Sequence, residues 1–228
     1  MRFHDKTRWR YAVTPGIVRA TAFVLCFMGG VARADQRHDF FLATADDNGY
    51  WLSKMVQNGA DPNIHEEQRG DTGLILALRE HAMRAFDVLL AAPNIDLNAT
   101  TGNGDTALMI ASYTGNEAAV TALLDKGAAV DKQGWTPLHY AAAAGNQRIV
   151  RLLLDKSARV DAAAPNGTTP LMMAAGGGNT GVVRMLLEAG ADPALKNMLG
   201  MNALDFARKD DRRSVVAQLT ARMEQVGQ

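Results

Sequence analysis

The stretch Gly134-Trp-Thr-Pro-Leu-His-Tyr-Ala-Ala-Ala-Ala-Gly-Asn-Gln-Arg-Ile-Val-Arg-Leu-Leu-Leu-Asp-Lys-Ser-Ala-Arg-Val-Asp161 decides the fold. It reads as two short antiparallel helices. Thr136 can cap the first with its hydroxyl, and Pro137 takes the first helical position, where a missing N–H is harmless. Ala141, Ala142, Ala143 and Ala144 extend that helix with little bulk, so a neighbouring helix can approach closely. Gly145 ends it, because glycine takes a left-handed conformation without strain. Ile149, Val150, Leu152, Leu153 and Leu154 then recur at helical spacing and stop near Ser157. Neither helix can bury its apolar side alone.

The same signals recur in phase along the chain. Thr72, Thr106, Thr136, Thr169 and Asn202 open units 34, 30, 33 and 33 residues apart. The first helix of each unit is expected to end nine residues after its cap, at His81, Gly115, Gly145, Gly178 and Asp211. The second ends twelve residues further on, at Pro93, Gly127, Ser157 and Gly190, and the earlier pair Asp47 and Gly59 keeps that interval. His81 in place of glycine predicts either a left-handed histidine or a slightly longer helix.

These residues resemble the ankyrin repeat. Its Thr-Pro-Leu-His, Leu-Leu and Gly-Ala-Asp elements stand as Thr136-Pro137-Leu138-His139, Leu186-Leu187 and Gly190-Ala191-Asp192, within a match from Asp39 to Gln218. The resemblance implies an all-α repeat solenoid of five to six stacked helix-turn-helix units joined by short β-hairpin loops, with a curved face that binds protein. Thr72-Gly73-Leu74-Ile75 and Asn202-Ala203-Leu204-Asp205 depart from the pattern, as end repeats facing water do. The expected organisation is a signal peptide over 1–34, a degenerate N-terminal capping repeat over 35–68, central repeats over 69–197, and a C-terminal capping repeat with tail over 198–228.

The first 34 residues carry six Lys or Arg against one acid, then the uncharged run from Ala20 to Ala32, then Ala32-Arg33-Ala34. That is the layout of a secretory signal with cleavage after Ala34, which points first to a bacterial periplasmic location, with a eukaryotic secretory origin as the alternative. Thirteen uncharged residues between Arg19 and Arg33 fall short of the roughly twenty that span a bilayer. An uncleaved anchor, making a tethered envelope protein, and a lipoprotein joined through Cys26 are the alternatives. Cleavage would remove the only cysteine, which suits an oxidising compartment.

Although the whole chain is formally neutral, the residues from Asp35 onward hold 18 Lys or Arg and 23 Asp or Glu, a net charge of −5. A mildly acidic body disfavours nucleic acid, whose phosphates need clustered cations. Gly102-Asn103-Gly104-Asp105-Thr106-Ala107 has the letters of a weak dinucleotide fingerprint, but it follows a polar stretch and reads as a turn. Arg69-Gly70-Asp71 is a chance-length match at a finger. The histidines His38, His65, His81 and His139 have no metal-ligand spacing, and no serine sits in a nucleophile setting. No catalytic, metal or cofactor site is expected. An enzyme or enzyme accessory with a cleft assembled across repeats is the rival reading.

By the resemblance, His139 bonds between adjacent repeats, while Ile110, Tyr140 and Met173 fall on the inward apolar position. The outward, partner-binding positions are the residue before each cap and the two before each first-helix end. They single out Trp135 and Tyr113 as aromatic anchors, with Asp105, Thr114, Arg79, Glu80, Asp71 and Thr168 around them. Packing of Trp135 along its own hairpin is the competing reading for that residue. A monomer that binds a protein, and no membrane once the signal is cleaved, is expected.

From each second-helix end to the next cap the intervals are 13, 13, 9, 12 and 12 residues. The finger before Trp135 is therefore short and predicts a gap in the row. Leu153→Ala should destabilise by about 2–5 kcal/mol if that leucine is buried between repeats. An unchanged urea midpoint would contradict the register.

Overall fold

A computed structural model describes residues 33–226. The expected signal segment lies outside them, apart from Arg33 and Ala34 at the start of the first helix. Twelve helices form six pairs: α1 Arg33–Ala45 with α2 Gly49–Gln57, α3 Gly73–Arg79 with α4 Met83–Leu90, α5 Ala107–Thr114 with α6 Glu117–Asp125, α7 Pro137–Ala144 with α8 Gln147–Asp155, α9 Pro170–Gly177 with α10 Thr180–Glu188, and α11 Ala203–Lys209 with α12 Arg213–Val226. From α3 onward, neighbouring odd-numbered helices pack more closely than neighbouring even-numbered ones, so the stack bends there with the odd row inside. Buried alanines such as Ala77, Ala111, Ala141, Ala142, Ala174, Ala175 and Ala207 permit that approach. Leu89, Leu123, Leu153, Leu186 and Leu219, all at 0% exposure, carry one apolar core from end to end.

Local chemistry sets each helix start. The hydroxyls of Thr72, Thr106 and Thr169 accept the N–H three residues on, and Asn202 accepts that of Asp205 at 3.0 Å. The expected hydroxyl cap at Thr136 is used differently: its Oγ1 faces His139 Nδ1 at 2.9 Å. Helices α2, α6 and α8 open on asparagine, with Asn48, Asn116 and Asn146 accepting from Trp51, Ala119 and Ile149, whereas α4 opens on Ala82 without a side-chain cap.

Every first-helix end is left-handed where the spacing places it, at Asp47, His81, Gly115, Gly145, Gly178 and Asp211, so His81 takes the left-handed alternative with φ 56°. The second ends follow at Gly59, Gly127, Ser157 and Gly190, but not at Pro93. The proline ring holds φ near −65°, and the left-handed turn moves one residue on, to Asn94.

Inter-repeat bonds confirm this shifted register. Four residues after each left-handed turn, Asn63, Asn98, Asp131 and Asp161 accept the backbone N–H of Asp96, Ala129, Arg159 and Asp192 in the next repeat, at 2.8–3.2 Å. Counting from Asn94 preserves the interval. Counting from Pro93 breaks it.

The fingers divide unequally. Four close on themselves by a backbone bond: Glu66 N–H to Asp71 O, Thr101 to Asp105, Ala164 to Thr168, and Asn197 to Met201. Isolated antiparallel bridges join His65 with Thr72 and Thr100 with Thr106. Fingers one and two are bonded by Gly102 N–H to Arg69 O at 3.0 Å, and fingers four and five by Met198 N–H to Asn166 O at 2.9 Å. Among the described residues the short finger before Thr136 has neither kind of backbone bond; Lys132 Nζ reaches Gly104 O instead.

Gly127 and Gly145 separate conformational strain from crowding. Both are left-handed, but a Cβ at Gly127 meets nothing within 4 Å, whereas one at Gly145 would lie 2.5 Å from Asn179 Oδ1. The Asn179 amide donates to Ala142 O at 3.0 Å across the repeat boundary. Gly127→Ala should lose about 1–2 kcal/mol from its left-handed backbone alone, and Gly145→Ala clearly more. Equal losses in urea denaturation would show that the Asn179 contact contributes nothing.

Candidate partner-binding face

The finger bases and inner-helix ends place the expected anchors along one face, unequally exposed. Tyr113 is 49% exposed, Glu80 and Thr114 are exposed, and Asp105, Trp135 and Arg79 are half-buried. Asp71 and Thr168 do not face a partner: they are 1% and 2% exposed. Asp71 is covered because it holds Arg79, whose Nε lies 2.9 Å from its Oδ2. Burial pushes the Asp71 carboxyl up, and the charges of Arg79 and Arg69 oppose that push. The Thr168 backbone is spent on two bonds to its carbonyl, from Ala164 N–H and from His139 Nε2.

Trp135 packs edge-on against His139, with ring centroids 5.2 Å apart at 75°. That contact is with the first turn of α7, not with the hairpin, and part of the Trp135 surface stays open. Tyr140 departs from its inward expectation. Ile110 is buried and Met173 half-buried, but the Tyr140 hydroxyl comes out to donate to Asp105 Oδ1. Its ring meets that of Tyr113 at 6.2 Å and 86°. Burial first, then Asp105, raises the Tyr140 pKa, so the phenol keeps its proton and acts as donor. Beyond these aromatics the face is bare, with Ala143 and Gly176 half-buried and Ala144 and Gly177 exposed.

His139 is fully buried and ties two repeats together. The Thr136 N–H donates to its Nδ1 at 3.1 Å, so Nδ1 is the unprotonated nitrogen, and Nε2–H donates to Thr168 O at 2.9 Å. At the equivalent position Met109 and Met172 offer only a thioether to the caps Thr106 and Thr169, each at 3.4 Å. Asp205 accepts from Asn202 N–H at 3.0 Å. None of the three makes the second, inter-repeat bond in the described hydrogen bonds.

Two open hollows lie away from these residues. One, of about 370 Å³, is lined by Arg184, Leu187, Glu188, Gln218, Ala221 and Arg222; the other, of about 530 Å³, by Asp46–Tyr50, Arg84 and Val88. Among the described residues no cluster of His, Cys, Asp or Glu could hold a metal ion, and no helix is long and apolar enough to cross a membrane. Sequence reasoning passed over the tip of the fifth finger, where Met198 and Leu199 are 79% and 80% exposed. The signal was an apolar pair just before the turn glycine Gly200, where the first finger has Gln68-Arg69 and the second Gly102-Asn103.

Comparison with known proteins agrees with this geometry. Residues 40–132 and 81–164 match the family described as ankyrin repeats (3 copies), and residues 166–198 match the single ankyrin repeat. The chain belongs to the ankyrin-repeat family. It is similar to the ankyrin repeat domain of Bcl-3, described as a unique member of the IkappaB protein family, with a TM-score of 0.66 and 32% identity over 79% of this chain and 81% of that one.

Burial lowers the His139 pKa from 6.5 to about 4. On acidification the unfolded chain therefore takes up the proton first. The histidine's contribution is complete above about pH 6.5 and is lost as pH falls toward 4, a difference of about 3 kcal/mol. Unfolding midpoints of wild type and His139→Gln should converge across that window. Parallel pH profiles would contradict the assignment of a buried neutral imidazole.

Proposed function

We propose that this protein is an exported scaffold that binds a protein partner through the face made by its inner-helix ends and fingers, with no chemistry of its own. Ankyrin repeats in general mediate protein–protein interaction, and the fold is typically a non-catalytic one. The observation that carries the reading is the placement of Tyr113, half-exposed on an inner-helix row that continues into the exposed small residues Ala144 and Gly177 of the next two repeats. A rigid aromatic next to bare backbone lets a partner dock closely with little loss of side-chain entropy. The stack already orders this face, so docking need not order it.

Export and a periplasmic destination rest on the basic start, apolar run and Ala32-Arg33-Ala34 of the N-terminus. Cleavage after Ala34 would remove two residues from the start of α1, leaving Phe40 and the rest of the first repeat in place. The scaffold is then free of the membrane and acts as a monomer.

Affinity capture from the native compartment tests both parts. Wild type should retain a defined partner, Trp135→Ala with Tyr113→Ala should lose it, and Arg151→Ala on the exposed side of α8 should keep it. N-terminal analysis of the recovered chain should begin at Asp35. Equal recovery of every partner by the double variant would refute the anchors, and a start at Met1 would refute cleavage.

A further inference from the structure

The repeats supply their own comparison. The residue before each cap is Asp71, Asp105, Trp135, Thr168 and Met201, and the residue eight positions later is Arg79, Tyr113, Ala143, Gly176 and Lys209. Only two repeats place a carboxylate at the finger base. In the first of these the repeat provides the cation itself, with Arg79 reaching back from the helix end to Asp71 at 2.9 Å. In the second, the position equivalent to Arg79 holds Tyr113, and no ion pair among the described residues involves Asp105.

What surrounds Asp105 is an open box. Its Oδ1 accepts from the Tyr140 hydroxyl, leaving Oδ2 as an acceptor on a half-exposed carboxylate. Tyr140 forms the floor, and Tyr113 stands nearly perpendicular to it at 6.2 Å with half its surface exposed. The nearby cations are engaged elsewhere: Arg79 on Asp71, and Lys132 on the Gly104 carbonyl. At the remaining inner-helix ends the charges are Glu80, Lys209 and Asp210, and the first finger adds Glu66, Glu67 and Arg69.

We propose that Asp105, Tyr113 and Tyr140 form a receptor for one basic side chain of the protein partner, placed against Asp105 as Arg79 is placed against Asp71. This rests on the scaffold reading above and specifies the partner chemistry that the face selects. A tyrosine ring attracts a cation through the negative potential of its face, and a carboxylate beside it fixes the position of the charge. Arginine suits the site better than lysine, because its planar fork can stack on Tyr113 while donating to Oδ2. The net charge of −5 from Asp35 onward draws in a basic partner over longer range and opposes an acidic one.

The test uses the full folded chain and four peptides, Ac-Ala-Arg-Ala-Arg-Ala-amide and its lysine, citrulline and glutamate counterparts. Ring resonances of Tyr113 and Tyr140 are followed by NMR. The arginine peptide should shift both saturably, the lysine peptide more weakly, and the citrulline and glutamate peptides not at all. Asp105→Asn, which keeps an acceptor for the Tyr140 hydroxyl, should weaken arginine-peptide binding about tenfold, and Asp210→Asn should leave it unchanged. Exposed Tyr113→Leu supplies a second variant should Asp105→Asn unfold. Equal shifts with the glutamate or citrulline peptide, or full affinity in Asp105→Asn, would overturn the receptor. Loss of the captured partner in the aromatic double variant but not in Asp105→Asn would remove the receptor and leave the scaffold standing.

Discussion

Two helices of eight or nine residues cannot bury an apolar side between themselves, and the rest of the structure follows from that constraint. Leu123, Leu153 and Leu186 reach 0% exposure only because the next pair closes over them. Stability is therefore a property of interfaces between repeats more than of repeats. The polar bonds across those interfaces run along two lines. At the finger side Asn63, Asn98, Asp131 and Asp161 hold the backbone of the following repeat. At the helix-end side Asn179 and Arg212 donate to the carbonyls of Ala142 and Gly176.

The short third finger interrupts this regularity in the middle of the stack. Fingers one and two are bonded by their backbones, as are fingers four and five, while the finger carrying Trp135 is linked by the side chain of Lys132. It is also the finger where His139 replaces the methionine of its neighbours and bonds onward to Thr168. The missing backbone contact is thus answered by a buried imidazole from the same repeat. The aromatic part of the face, Tyr113, Tyr140 and Trp135, gathers around this interruption.

Much of the fold was legible because one stretch repeats in phase. Thr caps and the two intervals named eleven helix-terminating positions, of which ten are left-handed, with His81 taking the left-handed of its two alternatives, and the eleventh, Pro93, lies one residue before the turn at Asn94. The error at Pro93 had a correction available in the sequence, since Asn98 stands four residues after Asn94 as Asp131 does after Gly127. The face was less legible. Position in a repeat says which way a residue starts out, but not what reaches over it: Arg79 covers Asp71, and Thr168 is closed in by its own finger and His139. Tyr140 shows the converse, a residue assigned to the interior whose polar tip finds Asp105 two helix-ends away from its own cap.

These contacts make the inner row a tightly packed part of the stack that still leaves Tyr113, Ala144 and Gly177 exposed. Site-specific photo-crosslinking in the native compartment separates that face from the outside of the solenoid. A benzophenone side chain at Ala144, exposed on the inner row, should yield a discrete adduct with a protein partner, and one at Arg151, exposed on α8, should not. Adducts from Arg151 with none from Ala144 would place the binding surface on the outer helices and contradict the account.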